Sequence, residues 1–366
     1  MSRQVFLLGP LPPPFGGVSV YMSFLLEHLR PWAVGVWAYY GEPFKGETCV
    51  QSFRHRRLGL VPLAFREGRG ARVLDATHFH LEHPNLLLLP AWLVCKLLLR
   101  FRWLKNILDG SLPARHREFT PLRRLLFRCA LRAADEFVVV SEELKRWLRD
   151  DLKVKQNVSV IPCLLPIPTR HLEEELTAST EEALRPYLRR TRRVCSVGAF
   201  IPDYGFMDAA RAVERLRAET GEDIGLALLD GAFARDNSYR SEVLAGREWI
   251  TALEQIPNPD VYKVMRASDA FIRAVACEGY GISRVEALWC GLPVVATRTG
   301  ETRGMLLYDF GNLDELVQQL KLALFAKRSQ DVKEWGAVYQ KEAEDNLEAL
   351  LRTLGLDFQC RQPTSP

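Results

Sequence analysis

The chain has 366 residues, 48% hydrophobic and 26% charged. That is ordinary globular composition and excludes disordered, collagenous and low-complexity classes. At the usual ~100–200 residues per domain, the length predicts two domains, each with room for a sizeable core.

Net charge is +4, but it is unevenly spread. Residues 1–170 carry 25 Lys and Arg against 14 Asp and Glu; the remainder carries 24 against 31. A basic first half favours phosphates or anionic lipid surfaces. Zinc-finger spacing, RNP-like motifs and Arg-rich arms are absent from the sequence, so nucleic acid is not an expected partner. The eight cysteines are scattered, without a Cys-x-x-Cys pair, and read as reduced, buried, small hydrophobes. The opening MSRQVFLLGPLPPPF has one basic residue and a short apolar run broken by prolines, which is a poor signal peptide. A cytoplasmic protein is expected.

Gln4–Gly9 is a short apolar run ending in glycine, which predicts a buried strand. A Pro/Gly loop follows, then Val18–Leu29 at helical spacing. Further strands are predicted at Val34–Tyr40, Thr77–Leu81, Asn106–Leu108, Glu136–Val140 and Val158–Pro162. The run Leu86–Leu99 is 14 residues long, short of the ~20 needed to span a membrane. With Lys96, Arg100, Arg102, Lys105, Trp92 and Trp103 in or beside it, Leu86–Lys105 reads equally as a core helix or as a peripheral membrane contact. HFHLEH places His78, His80 and Glu82 on one strand face; cleft-lining polar groups outweigh a metal site there.

The Pro-, Glu- and Arg-rich stretch 166–192 is the expected linker between an N-terminal domain, 1–165, and a second domain, 193–330. Residues 331–366 are expected to be C-terminal helices that pack back on the N-terminal domain. In the second domain, strands are predicted at Val194–Gly198, Ile224–Leu229, Ala270–Val275 and Pro293–Thr297. Helices are predicted at Met207–Ala218, Ser283–Cys290 and from Leu313, and a long polar loop from Asp230. Alternating strands and helices in both halves predict an α/β protein of two doubly wound, Rossmann-like domains with a cleft between them. Ligands of such sheets bind at the carboxyl ends of the strands, so the loops after Gly9, Gly198, Leu229 and Val275 are where chemistry belongs.

The segment ACEGYGISRVEALWCGLPVVAT, Ala276–Thr297, is the most informative. Glu278 precedes a Gly279-Tyr280-Gly281 turn, and Glu286 lies one turn into the following helix. The turn lets backbone approach a ligand closely. The helix start near Ser283 aims free N–H groups and partial positive charge at the same place, a setting for a phosphate.

This segment resembles the Glu, seven residues, Glu motif of retaining glycosyltransferases of family 4, which have the GT-B fold. MSRQVFLLGPLPPPFGGVSVYMSFLLEHL resembles the first strand and Gly-Gly loop of that family. ADEFVVVSEELKRWL with VSVIPCLLP resembles the close of its N-terminal domain, and VCSVGAFIPDYGFMDAARAVERL the opening of its donor domain. The resemblance implies a nucleotide-diphosphate sugar donor, a saccharide or lipid-linked acceptor, retention of configuration, no metal and no cofactor. It assigns Glu278 to the donor sugar hydroxyls and Glu286 to the ribose. Gly16, Gly17, Gly279, Tyr280, Gly281, Ile282 and Ser283 become donor-binding positions.

The sequence departs from that family at two cations. An arginine and a lysine that steady the leaving diphosphate are replaced by Ala199 and Tyr204. Their loss removes several kcal/mol of transition-state stabilisation unless something substitutes. Candidates are Arg273, Arg298 or Arg303, or a hydrogen bond from Tyr204. DAFIRAVACEGYGISRVEAL with Tyr-Gly for Lys-Gly resembles a bacterial surface-polysaccharide subgroup, which favours substitution. Asp109 stands where the family has a histidine, with His116 farther on. It reads as a base for the acceptor hydroxyl or as a cap of the turn before Gly110. Two other readings are a non-catalytic scaffold of the same fold and a sugar-nucleotide epimerase.

Overall fold

The computed structural model describes residues 4–32, 34–41, 50–52, 59–77, 88–326 and 329–356. It divides into two compact units. One comprises Met1–Pro13, Gly17–Pro166 and Glu344–Pro366; the other comprises Pro14–Gly16 and Ile167–Ala343.

The first unit runs β1 (Val5–Gly9), α1 (Gly17–His28), β2 (Gly35–Ala38), β3 (Val50–Ser52), α2 (Leu60–Glu67), β4 (Arg72–Asp75), α3 (Leu88–Leu99) and β5 (Arg102–Ile107). It continues through α4 (Leu112–Arg117), α5 (Pro121–Ala133), β6 (Glu136–Val139), α6 (Glu142–Arg146) and β7 (Asn157–Val160). Its seven strands are parallel, in the order β3-β2-β1-β4-β5-β6-β7. Every residue of β1 is buried, as expected of a central parallel strand covered on both faces. Gly9 lets α1 approach, because a Cβ there would stand 2.9 Å from Met22 Cε.

The fourth strand lies at Arg72–Asp75, where none was predicted; of the predicted strand Thr77–Leu81, only Thr77 is among the described residues. Only two of its four residues are apolar, which hid it. Its polar end is satisfied internally. Asp75 Oδ1 accepts from the Thr77 amide at 2.8 Å and its hydroxyl at 2.7 Å, and Oδ2 accepts from Trp103 Nε1 at 3.0 Å. Lys105 Nζ stands 3.5 Å from Oδ1, and both side chains are fully buried. Burial lowers the Lys105 pKa and the Asp75 charge opposes that shift. His78, His80, Glu82 and His83 lie outside the described residues.

The second unit begins with α7 (Thr169–Glu173) and α8 (Ala178–Leu188), both inside the stretch read as a linker. Leu184 and Tyr187 of α8 are buried. It continues through β8 (Arg192–Phe200), α9 (Phe206–Thr220), β9 (Ile224–Arg235), α10 (Asn237–Leu244), β10 (Ile250–Glu254), α11 (Asn258–Arg266) and β11 (Ala270–Arg273). Then come α12 (Ile282–Trp289), β12 (Val294–Thr297), β13 (Leu306–Tyr308), α13 (Leu313–Phe325) and α14 (Ser329–Leu354), whose residues from Glu344 on belong to the first unit. Its six parallel strands have the order β10-β9-β8-β11-β12-β13. The predicted loop at Asp230-Gly231 is instead strand: β9 runs on to Arg235, pairing with β8 across an irregularity between Gly198 and Phe200. Chain direction across the sheet reverses between β8 and β11. That switch point is where an open α/β sheet offers a ligand crevice.

Candidate functional site

The carboxyl ends of β8 and β11 meet at this switch point. Beyond β8, a short turn, Pro202–Tyr204, leads into Gly205, whose φ is 59°. A Cβ on Gly205 would lie 2.0 Å from the Ala274 carbonyl oxygen, so glycine alone lets the two loops close on each other. The Ala276 amide donates to the Asp203 carbonyl at 2.9 Å and ties them.

Arg273, the last residue of β11, is buried here. Its guanidinium lies 5.0 Å from the centre of the Tyr204 ring. Nη1 donates to the Val197 carbonyl of β8, and Nε and Nη2 reach Glu278 Oε2 at 2.8 and 2.7 Å. Arg284 Nη2 approaches the same oxygen at 3.7 Å. Glu278 Oε1 makes no hydrogen bond among the described residues.

Two glycines make room for this carboxylate. A Cβ on Gly281 (φ 91°) would stand 3.1 Å from Glu278 Cγ and 2.6 Å from Arg284 Nε; one on Gly300 would stand 3.0 Å from Glu278 Cγ. Gly281 also caps α12. Tyr280 is buried, and its carbonyl accepts from the Glu301 amide at 2.8 Å; Gly279, Ile282 and Ser283 are half-buried.

Arg284 is fully buried. Its Nη1 donates to the carbonyls of Thr297, Thr299 and Glu301, and so fixes the exit of β12. Among the described residues, Nε and Nη2 have no hydrogen-bond partner. Burial pulls its pKa down to about 10.

Glu286 lies one turn farther along α12 and is buried. The Tyr262 hydroxyl, from α11, donates to its Oε1 at 2.7 Å. Oε2 makes no hydrogen bond among the described residues. Burial pushes the carboxyl up to about 7, against the pull of that hydrogen bond.

The structure thus gathers Tyr204, Arg273, Glu278 and Gly281, with Glu286 on the adjoining helix. Arg303 is engaged elsewhere: it pairs with Glu342 at 2.8 and 2.9 Å and with Glu301 at 2.9 and 3.1 Å. Arg298 pairs with Asp309 and Glu315. Gly17 opens α1 and Gly16 precedes it. In the first unit, Asp109 holds the turn that leads into α4. Its Oδ1 accepts from the Ser111 amide and hydroxyl, both at 2.7 Å, and Oδ2 pairs with Arg115. His116 is packed against Phe119, Phe127 and Trp147. Among the described residues, no cluster of three or more His, Cys, Asp or Glu is arranged to hold a metal ion.

Sequence reasoning missed Arg284 and Tyr262. An arginine two residues before Glu286, inside the buried stretch of α12, was the available signal for the first; Tyr262 comes from a separate helix and gave none.

Residues 186–324 match the family model described as Glycosyl transferases group 1. The matched stretch lies within the second unit and contains every residue of the gathered cluster. No curated protein matches the chain by sequence. Solved structures do match in fold. Anabaena Alr3699/HepE in complex with UDP and glucose is 15% identical, with a TM-score of 0.73 over 96% of this chain and 100% of that one. Sucrose-phosphate synthase from Thermosynechococcus elongatus is 17% identical, with a TM-score of 0.67 over 96% and 98%. An α,α-trehalose-phosphate synthase from Burkholderia xenovorans in complex with glucose-6-phosphate is 12% identical, with a TM-score of 0.71 over 96% and 100%. The fold is GT-B, with two Rossmann-like domains.

Proposed function

We propose that the protein is a cytoplasmic, retaining, metal-independent glycosyltransferase. It moves a sugar from a nucleotide-diphosphate sugar to a saccharide or lipid-linked acceptor in surface-polysaccharide or glycan assembly. One observation carries this reading: each of two glutamates at the switch point has one oxygen anchored by a protein donor and the other unengaged. An anchored carboxylate with a spare acceptor suits a diol or a sugar hydroxyl, because its orientation is already fixed before the ligand arrives.

Glu278 Oε1 accepts from donor-sugar hydroxyls, and Glu286 Oε2 from the ribose. The amides of Gly281, Ile282 and Ser283 at the start of α12 face the diphosphate. As the anomeric carbon–oxygen bond breaks, negative charge grows on the diphosphate. Arg273, held against Tyr204 and Val197, supplies the cation that Ala199 and Tyr204 do not. Asp109 is left out of the chemistry, since both of its oxygens are committed to Ser111 and Arg115. The UDP bound to the HepE neighbour supports a uridine donor as the first to test.

A thermal-shift screen against a nucleotide-sugar panel tests the reading, because a bound donor stabilises by mass action. Glu278→Ala and Glu286→Ala should each abolish most turnover of the stabilising donor; unchanged turnover sinks the assignment. The buried Ala199 favours a second reading, a non-catalytic scaffold. Calorimetry separates the two, since a scaffold neither binds nor hydrolyses the donor. Product analysis by NMR separates transfer from epimerisation.

A further inference from the structure

α3 packs between α2 and α5 on one face of the first sheet. It buries Leu88, Leu89, Trp92, Cys95 and Leu99. Yet Val94, Leu97 and Leu98 are 54, 78 and 61% exposed. They recur at i, i+3 and i+4, so they form one apolar stripe facing away from the core. On α5, Leu122 and Leu125 are exposed too, with Arg124, Arg128 and Arg132 exposed beside them.

The charge around this stripe is of one sign. Residues 88–134 hold ten Lys and Arg against two acidic residues. An open hollow of about 790 Å³ lies at the amino ends of β4 and β5, the end opposite the ligand-binding loops of an open sheet. Lys96, Leu97, Arg100, Arg102 and Arg132 line it. Lys96 is tied to Asp135 at 3.0 Å and Arg102 to Glu136. Among the described residues, no carboxylate pairs with Arg100 or Arg132. Arg100 also ends α3 with a φ of 54°, a left-handed conformation that glycine adopts without strain. A cation therefore stands where the backbone alone favours glycine.

We propose that the α3–α5 face seats on an anionic phospholipid bilayer. Leu97, Leu98 and Leu125 enter the boundary between headgroups and acyl chains, and the hollow takes a lipid phosphate between Arg100 and Arg132. Charge decides between this occupant and a protein. A protein-binding stripe is normally depleted of charge at its centre and rimmed by both signs, whereas unpaired arginines around exposed leucines match an anionic headgroup layer. No described helix is long and apolar enough to cross a membrane, so α3 lies in the plane of the surface. A short apolar stripe binds weakly by itself. Each basic side chain near an anionic surface multiplies the affinity by about fivefold, and the two signals together give stable attachment.

The test needs no donor, so its failure and that of the transferase reading are distinguishable. The full chain is sedimented with vesicles of phosphatidylcholine alone or of phosphatidylcholine with phosphatidylglycerol. The expected result is partition into the anionic vesicles only, falling at least about tenfold in high salt. Leu97→Ser with Leu98→Ser, and separately Arg100→Ser with Arg132→Ser, should each cut partition at least about tenfold with the melting curve unchanged. Equal partition into neutral vesicles overturns the proposal. So does undiminished partition of both double variants. A dimer seen by light scattering and dissolved by the leucine pair, with no vesicle binding, overturns it in favour of a second copy.

Discussion

Replacing Glu286 by glutamine separates what this carboxylate does for a ligand from what its burial costs the fold. Its carboxyl titrates near pH 4.5 in an unfolded chain and is pushed up to about 7 in the folded protein. Across that window the folded state holds a proton that the unfolded state has released. Stability therefore falls as pH rises from about 4.5 to about 7, and levels off above. At about 1.4 kcal/mol for each unit of pKa, the full loss is about 3 kcal/mol. Glutamine keeps an acceptor for the Tyr262 hydroxyl, which stands 2.7 Å from Oε1, and has no proton to lose. The variant should thus equal the parent near pH 4.5 and exceed it by about 2–3 kcal/mol at pH 8. Donor turnover should move the other way, falling about tenfold to hundredfold, because a neutral amide is the weaker acceptor for a ribose diol. Urea unfolding followed by tryptophan fluorescence at pH 5 and pH 8, read on the transition of the second unit, gives the first quantity. If the gap between variant and parent is the same at both pH values, the buried-carboxylate reasoning is wrong.

Tyr262→Phe removes the donor to Glu286; it should cost about 1–3 kcal/mol and move the pH-dependent loss of stability to higher pH, measured by the same urea series. Glu278→Gln leaves Arg273 and Arg284 without their shared counter-charge, and should lower stability by about 3 kcal/mol while abolishing most turnover, read by denaturation and a donor assay. Gly205→Ala forces a Cβ to 2.0 Å from the Ala274 carbonyl oxygen at a φ of 59°; about 3 kcal/mol of lost stability, or failure to fold, is expected in a melting curve. Asp109→Ala should cost about 1 kcal/mol through the lost hydrogen bonds to Ser111 in the turn before α4, with turnover within about twofold of the parent; a loss near a hundredfold would restore it to the chemistry.

The strands legible from sequence are apolar runs with a glycine or a turn behind them, such as Val5–Gly9, Glu136–Val139 and Ala270–Arg273. β4 was not legible, because its pairing places Arg72 and Asp75 in a central strand and Trp103 and Lys105 reach Asp75 from a separate strand. Propensity sees an aspartate; only the tertiary structure supplies the partners of its second oxygen. β10 is half-buried along most of its length and lies at the sheet edge, so its hydrophobic pattern is faint. Asp230-Gly231 is a strong local turn signal that parallel pairing with β8 overrides. The two glutamates were legible because a glycine turn and one helical turn fix their spacing. Tyr262 was not, because its contact with Glu286 joins two helices 24 residues apart.

The missing cations at Ala199 and Tyr204 show why a motif scored strand by strand misleads at a switch point. β8 and β11 are neighbours, with Ala270 opposite Val194 and Phe271 opposite Cys195, so their carboxyl ends open onto the same volume. A guanidinium delivered by either strand reaches it. Arg273 comes from β11, donates back to the Val197 carbonyl of β8 and lies over the Tyr204 ring. On the proposed reading, Tyr204 occupies the lysine's place in the sequence while serving as the surface on which the substitute cation rests, a contact worth about 1 kcal/mol or more when desolvated. Glu278 then has a second task, since it is the carboxylate that allows Arg273 to remain charged while buried. On the proposed reading, donor recognition and charge stabilisation share one ion pair, and a loss of turnover on changing either partner includes the cost of stranding the other.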